Sequence, residues 1–195
     1  MKLTMRNAKS IYTEANSMNI LKPNVAVFSS LLFLLFAVVD TAAATEYAEG
    51  KLGKALILDG SSHTVKIPHY AGLKPDKAIT ISAWVKPKQV TTGWLWQEIY
   101  RKEDGNARSL LALGQYKKKH CLCFGLGIGG KYIDYGAPLA ASKLMDGKWH
   151  LVCGTYDGKA ITLYADGVEI GSTKVSGKID TAGDAPAFIG SHKAL

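Results

Sequence analysis

Beyond residue 45 the sequence has no long stretch with apolar residues at helical spacing, and that absence excludes a helical fold. It also lacks an internal repeat, a low-complexity tract and any sign of a second domain. No glycine-rich phosphate loop precedes a helix, and no Ser/His/Asp arrangement stands out among the five histidines. Cysteine is scarce: Cys121, Cys123 and Cys153 are the whole complement, short of the four closely spaced ligands a structural zinc site takes. A large charge of one sign is missing too. Lys and Arg number 24 against 16 Asp and Glu, a net +8. Lys2, Arg6, Lys9 and Lys22 against Glu14 and Asp40 belong to the first 44 residues, which leaves +6 for the remainder. Such a charge favours solubility and some attraction to acidic polymers, and specifies no partner.

What is present begins with a targeting pattern. Val25 to Val39 reads VAVFSSLLFLLFAVV without a charge, preceded by Lys22 and followed by TAAAT at residues 41–45. A basic flank, a short apolar region and small residues before a cut after Ala44 describe a secretory signal. Fifteen residues would span about 22 Å as a helix, short of the roughly 30 Å hydrocarbon core. The expectation is therefore a signal peptide at 1–44, with a start at Met18 as the variant that gives an ordinary leader length. The alternative is a membrane anchor formed by residues 25–39. Residues 45–195 then form the mature domain, secreted, periplasmic or on the cell surface.

Strand signals fill that domain. Ile79 to Lys86 alternates with period two and stops at Pro87. Ile79, Ile81, Ala83 and Val85 should face a core, with Thr80, Ser82 and Trp84 on the other side. Cys121 to Ile128 alternates as well, with Leu122, Phe124, Leu126 and Ile128 on one face. Ala55–Leu58 and Thr64–Ile67 bracket Asp59-Gly60-Ser61-Ser62 and read as a hairpin. Trp149 to Ser172 reads as three short strands joined by Asp157-Gly158 and Asp166-Gly167, the pair favoured in type I′ turns. Many short strands at this spacing predict an all-β sandwich or barrel.

Four segments are similar to a known family: GKALILDGSSHTVKIP (53–68), AITISAWVKP (78–87), DGKWHLVCGTYDGKAITLYADGVEIGS (146–172) and PAFIGS (186–191). Together they resemble the laminin-G-like jelly-roll domains of the concanavalin A-like lectin and glucanase fold, over roughly residues 50–191. The resemblance implies two antiparallel sheets packed face to face and a role in binding glycans, matrix or surface proteins. In that family Ile-Gly-Ser is followed by a further strand that pairs near the first; here the sequence ends at Leu195. The expectation is a domain lacking its last strand, with an open edge at Ala55–Leu58, and either a truncated gene product or a fragment of a longer protein.

The candidate chemistry follows. Sandwich glucanases of this fold use paired carboxylates on one strand. The nearest acidic group, Glu98, Glu103 and Asp104, fails that pattern, since Glu98 and Glu103 are an odd number apart and a regular strand sends them to opposite faces. No catalytic residue is assigned. The resemblance brings calcium into consideration, with Asp59, Asp104, Asn106 and Asp134 near loops, but their spacing defines no site and no cofactor is assigned. Cys153 could pair with Cys121 or Cys123 if their strands are neighbours; the alternatives are structural thiols or, less in keeping with zinc chemistry, a metal site.

Aromatic residues are the candidate ligand apparatus: Trp84, Trp94, Trp96, Tyr100, Tyr132 and Tyr135 could stack on sugar rings or simply pack. Lys117, Lys118 and Lys119 form a basic loop, read either as a solvated tip or as a contact for sulfated glycans. Nucleic acid is not expected, since the chain is exported and carries no recognised module. The functional expectation is an exported, non-catalytic module for carbohydrate or cell-surface glycoconjugates. Its rivals are a protein-adhesion or structural domain of a larger surface protein and a degenerate glycoside hydrolase.

Overall fold

A computed structural model describes residues 46–60, 63–89, 96–116 and 119–191. The signal and anchor expectations, Trp94, Lys117 and Lys118 lie outside the described residues.

The alternating segments form strands because each can bury one face while wetting the other. In chain order these are β1 (Tyr47–Glu49), β2 (Lys54–Leu56), β3 (Val65–Ile67), β4 (Ile79–Val85), β5 (Gln97–Asp104) and β6 (Ala107–Tyr116). There follow β7 (Lys119–Ile128), β8 (Lys131–Pro138), β9 (His150–Tyr156), β10 (Ala160–Ala165), β11 (Val168–Lys174) and β12 (Ala187–Ile189). One helical turn, α1 (Ala141–Leu144), links β8 to β9. The strands make a six-stranded sheet, β3-β12-β5-β6-β7-β8, and a four-stranded sheet, β11-β10-β9-β4. Every pairing is antiparallel. The expected β-sandwich is what forms.

The core lies between the two sheets. β4 exposes Thr80, Ser82 and Trp84 and turns Ile79, Ile81, Ala83 and Val85 inward, as its alternation predicts. From the other sheet Leu122, Phe124 and Leu126 on β7 are fully buried, and from β9 and β10 so are Val152, Ile161 and Leu163. Each such side chain contributes about 1.5–3 kcal/mol on leaving water. The sheets pack closely at Gly154, where a side chain would run into the Phe124 ring.

The turns are resolved one by one. Between β10 and β11, Asp166 (φ 51°) and Gly167 (φ 81°) both take positive φ, the type I′ requirement. Between β9 and β10 only Gly158 does so (φ 94°), and the Asp157 carboxylate accepts the N–H groups of Lys159 and Ala160, each at 2.8 Å. The hairpin expected across residues 55–67 does not form. β2 pairs with β1 in a separate two-stranded sheet, while β3 joins the six-stranded sheet beside β12. Residues 59–62 look like a hairpin turn, but β12 offers β3 a ladder partner from far along the chain, and that pairing wins.

Candidate functional site

The face of the six-stranded sheet turned away from the core has an unusual composition. Its neighbouring strands β6 and β7 contribute mostly small residues: Ala112 and Gly114 from β6, and Cys121, Cys123, Gly125 and Gly127 from β7. Larger neighbours lean over this floor. The Trp96 ring lies on Gly114, and the Tyr132 hydroxyl lies on Gly125, so a side chain at either glycine would collide with an aromatic group. Both glycines are needed for close approach rather than for turn geometry.

β5 supplies the polar wall. A β-bulge between Glu98 and Tyr100 places one extra residue, Ile99, opposite β6. A bulge offsets the two-residue alternation by one. Glu98, Arg101 and Glu103 therefore all stand on the outer face, opposite Ala112, Leu110 and Arg108, while Ile99 packs against the core. The expectation that Glu98 and Glu103 point to opposite faces is corrected on this point. It assumed a regular strand, and the strand is not regular.

The three side chains form one unit. The Arg101 guanidinium donates through Nη1 to Glu98 Oε1 and through Nη2 to Glu103 Oε2, the latter at 2.6 Å. Glu103 Oε2 also lies 2.6 Å from Arg108 Nε, and the Arg108 guanidinium sits 4.3 Å from the centre of the Tyr132 ring. Beside them on β8, Asp134 accepts the Cys123 thiol. Burial pushes the Glu98 carboxyl above its usual value, against the opposing pull of Arg101. Asp134 is raised for the same reason, with the Cys123 hydrogen bond and Arg108 working the other way. Burial and the neighbouring Asp134 raise the Cys123 thiol and the Tyr132 phenol, so both stay protonated at neutral pH.

The sequence-derived aromatic candidates do not converge. Trp96 and Tyr132 reach the outer face of the six-stranded sheet. Tyr100 stands opposite Leu111 on the core-facing side, its hydroxyl engaged with Ser109, and Tyr135 packs against the core. Trp84 belongs to the outer face of the other sheet, 39% exposed, with the Lys51 ammonium 5.3 Å from its ring centre. Lys119 is exposed at the start of β7.

Among the described residues none of the three cysteines is in a disulfide. β9, which carries Cys153, belongs to the four-stranded sheet and β7 to the six-stranded one. Cys153 pairs across from Ser82 and Tyr164 on the outer side of its sheet, so the whole sandwich separates it from Cys121 and Cys123. The proposed pairing needed neighbouring strands, and these strands are not neighbours. Among the described residues no cluster of three or more His, Cys, Asp or Glu side chains is placed to hold a metal ion. Of the residues considered for calcium, Asp134 is occupied by Cys123 and lies within a strand.

Residues 59–194 match the sequence profile of the laminin-G-like group within the concanavalin A-like lectin/glucanases superfamily. The chain belongs to that family. Among curated proteins none matches this concanavalin A-like chain. Among solved structures it is similar to domain 4 of AbnA, a GH43 extracellular arabinanase from Geobacillus stearothermophilus, in complex with arabinotriose. That similarity has 25% identity and a TM-score of 0.54, and covers 76% of this chain and 66% of the other. It also resembles the binding domain of Paraclostridial Mosquitocidal Protein 1, at 16% identity and a TM-score of 0.60, covering 78% of this chain and 39% of that one. The second likeness bears on the fold alone.

In this concanavalin A-like domain the residues that sequence reasoning passed over are Arg101 and Arg108. The available signal was the charge density of QEIYRKED, five charged side chains in a segment that also carries Ile99 and Tyr100. Exposed loops carry such charge without consequence, whereas a strand that carries it must find partners.

Proposed function

We propose that this chain is an exported, non-catalytic module that binds carbohydrate through the outer face of the six-stranded sheet. One observation carries the reading: Glu98, Arg101 and Glu103 are held as a rigid polar fork beside Trp96 and Tyr132. Planar charged groups bond to hydroxyl pairs, and an aromatic ring covers the apolar face of a sugar. The arabinotriose-bound relative supports this choice of ligand class. Export rests on the leader at 1–44, with cleavage after Ala44.

The test is calorimetric titration of the full chain with arabino-oligosaccharides, alongside a glycan array. Arg101→Ala should weaken binding at least tenfold, while Trp84→Ala, on the opposite side of the sandwich, should leave it unchanged. A blank array together with no heat on titration would sink the proposal.

A second reading, hydrolysis, is favoured by the bulge that brings Glu98 and Glu103 to one face, with Glu98 raised toward the protonated form. Binding remains the better reading because both carboxylates are engaged by Arg101 rather than left free for acid and nucleophile roles. Release of reducing ends from arabinan, abolished by Glu98→Gln, would reverse that preference.

A further inference from the structure

A cavity of about 250 Å³ opens between α1 and the β10–β11 hairpin. Leu139 and Leu144 form its buried floor, Ala165 and Ile170 continue from it into the core, and Val168, 66% exposed, stands at its rim. The rest of the lining is Lys143, His150 and Asp166.

Two of these three polar residues are already committed. Asp166 Oδ1 accepts the Leu151 N–H at 2.9 Å, its Oδ2 is bonded to His150 Nδ1, and His150 Nε2 is bonded to Asp146. Lys148 stands 3.7 Å from Asp146, so the imidazolium and this ammonium offset the two carboxylates. Lys143 is different. It is exposed, and among the described residues the lysines in ion pairs are Lys74, Lys148 and Lys178. An uncompensated ammonium at the mouth of an aliphatic hollow is the combination of polar anchor and apolar body that small-ligand sites use.

We infer that this cavity takes a small free acid with an apolar body, an aryl or alkyl carboxylate whose charged end meets Lys143 and whose hydrocarbon part lies against Leu139, Leu144, Ala165 and Ile170. The inference is independent of the carbohydrate reading, because the two places share no residue. Size sets the scale of the ligand. A cavity of about 150 Å³ lined by Leu, Ile and Phe takes benzene, so this one has room for a ring with a short tail. Chemistry sets the class. A saccharide or a peptide would press hydroxyls or amides against an aliphatic wall that cannot bond them. A cationic ligand would meet Lys143 with no carboxylate left to answer it, since Asp146 and Asp166 are both engaged by His150.

The experiment is amide NMR titration of the full chain, which reads both weak affinity and its place. It is run in about 0.15 M salt, so that nonspecific attraction is screened, with phenylacetate, phenylacetamide and acetate. Phenylacetate should shift the amides of Leu144, Val168 and Ile170 and bind about fivefold more tightly than the uncharged amide, the scale of one partly exposed ion pair. Acetate, which has the charge without the body, should leave those amides unmoved. Lys143→Gln should bring phenylacetate down to the affinity of phenylacetamide, whereas Lys148→Gln, outside the lining, should preserve the difference. Ala165→Leu, which fills the cavity, should abolish binding of both aromatic probes. Equal affinity for acid and amide in the unmodified chain overturns the inference, as does an acid preference that survives Lys143→Gln. Shifts confined to other residues, or none with either aromatic probe, overturn it as well. Should Ala165→Leu fail to fold, Lys143→Gln, at an exposed position, decides. Each of these outcomes leaves the glycan titration of the other face to be judged separately.

Discussion

Two single residues show how far local chemistry reaches beyond its own strand. Lys102, on the core side of β5, is almost wholly buried, an unusual place for an ammonium. Its Nζ donates to the carbonyls of Ala182, Gly183 and Ala185, so one cation ties the loop before β12 to the sheet. Burial, with Lys74 nearby, lowers its pKa, and Asp184 and Asp104 oppose the shift. Lys102→Met keeps the stem and strands three buried acceptors. Removing one partner of such an arrangement costs about 3 kcal/mol, to be read as a lower urea midpoint at unchanged slope.

His150 sits between two carboxylates, with Nδ1 2.8 Å from Asp166 Oδ2 and Nε2 2.9 Å from Asp146 Oδ1. Only the imidazolium can donate to both, so its pKa is raised above 6.5, first by Asp166 and then by Asp146. A raised pKa means that the stabilisation is complete below the unfolded value of 6.5 and is lost as pH rises through the folded value. Asp146 and Asp166 are lowered from 3.8, chiefly by His150, so their share is present above 3.8 and lost as pH falls through their folded values. Melting temperature should therefore be highest between those limits and fall on going from pH 6 to pH 9. In His150→Gln that alkaline fall should vanish. A fall of the same size in the variant would assign it to other groups.

At the scale of elements, two small features control what each sheet can present. The bulge in β5 decides which charged side chains share a face; without it Glu98 would be turned away from Arg101 and Glu103. The glycine in β9 decides how closely the sheets approach, because Phe124 fills the space a side chain at position 154 would take. Gly154→Val forces overpacking at a buried contact and should destabilise by about 1–3 kcal/mol, measured by thermal or urea unfolding. A neutral result there would mean the sheets separate more easily than their packing implies.

Across the molecule, the two outer faces are chemically distinct. The six-stranded sheet carries the charged fork and its glycine-lined floor. The four-stranded sheet carries a row of hydroxyl residues, Thr80, Thr155, Thr162 and Ser172, running across all four strands, with Trp84 nearby. The binding reading belongs to the first face because it combines partnered charges and overlying rings. On the second, Thr162 and Ser172 already bond to each other at 3.0 Å.

The inward faces of β4 and β7 were legible in the amino-acid order, since a period of two is written directly into neighbouring residues. So was the Asp166-Gly167 turn, where local backbone energy selects the residue pair. Partner choice and face assignment were settled only in three dimensions. β3 left its apparent hairpin partner for β12, the bulge at Ile99 reversed the expected separation of Glu98 from Glu103, and Cys153 ended on a different sheet from the other thiols. Alternation is a local property, whereas register, bulges and the selection of a neighbour depend on contacts between residues tens of positions apart. The candidate site is made from those distant contacts, and for that reason it became visible only when the chain was folded.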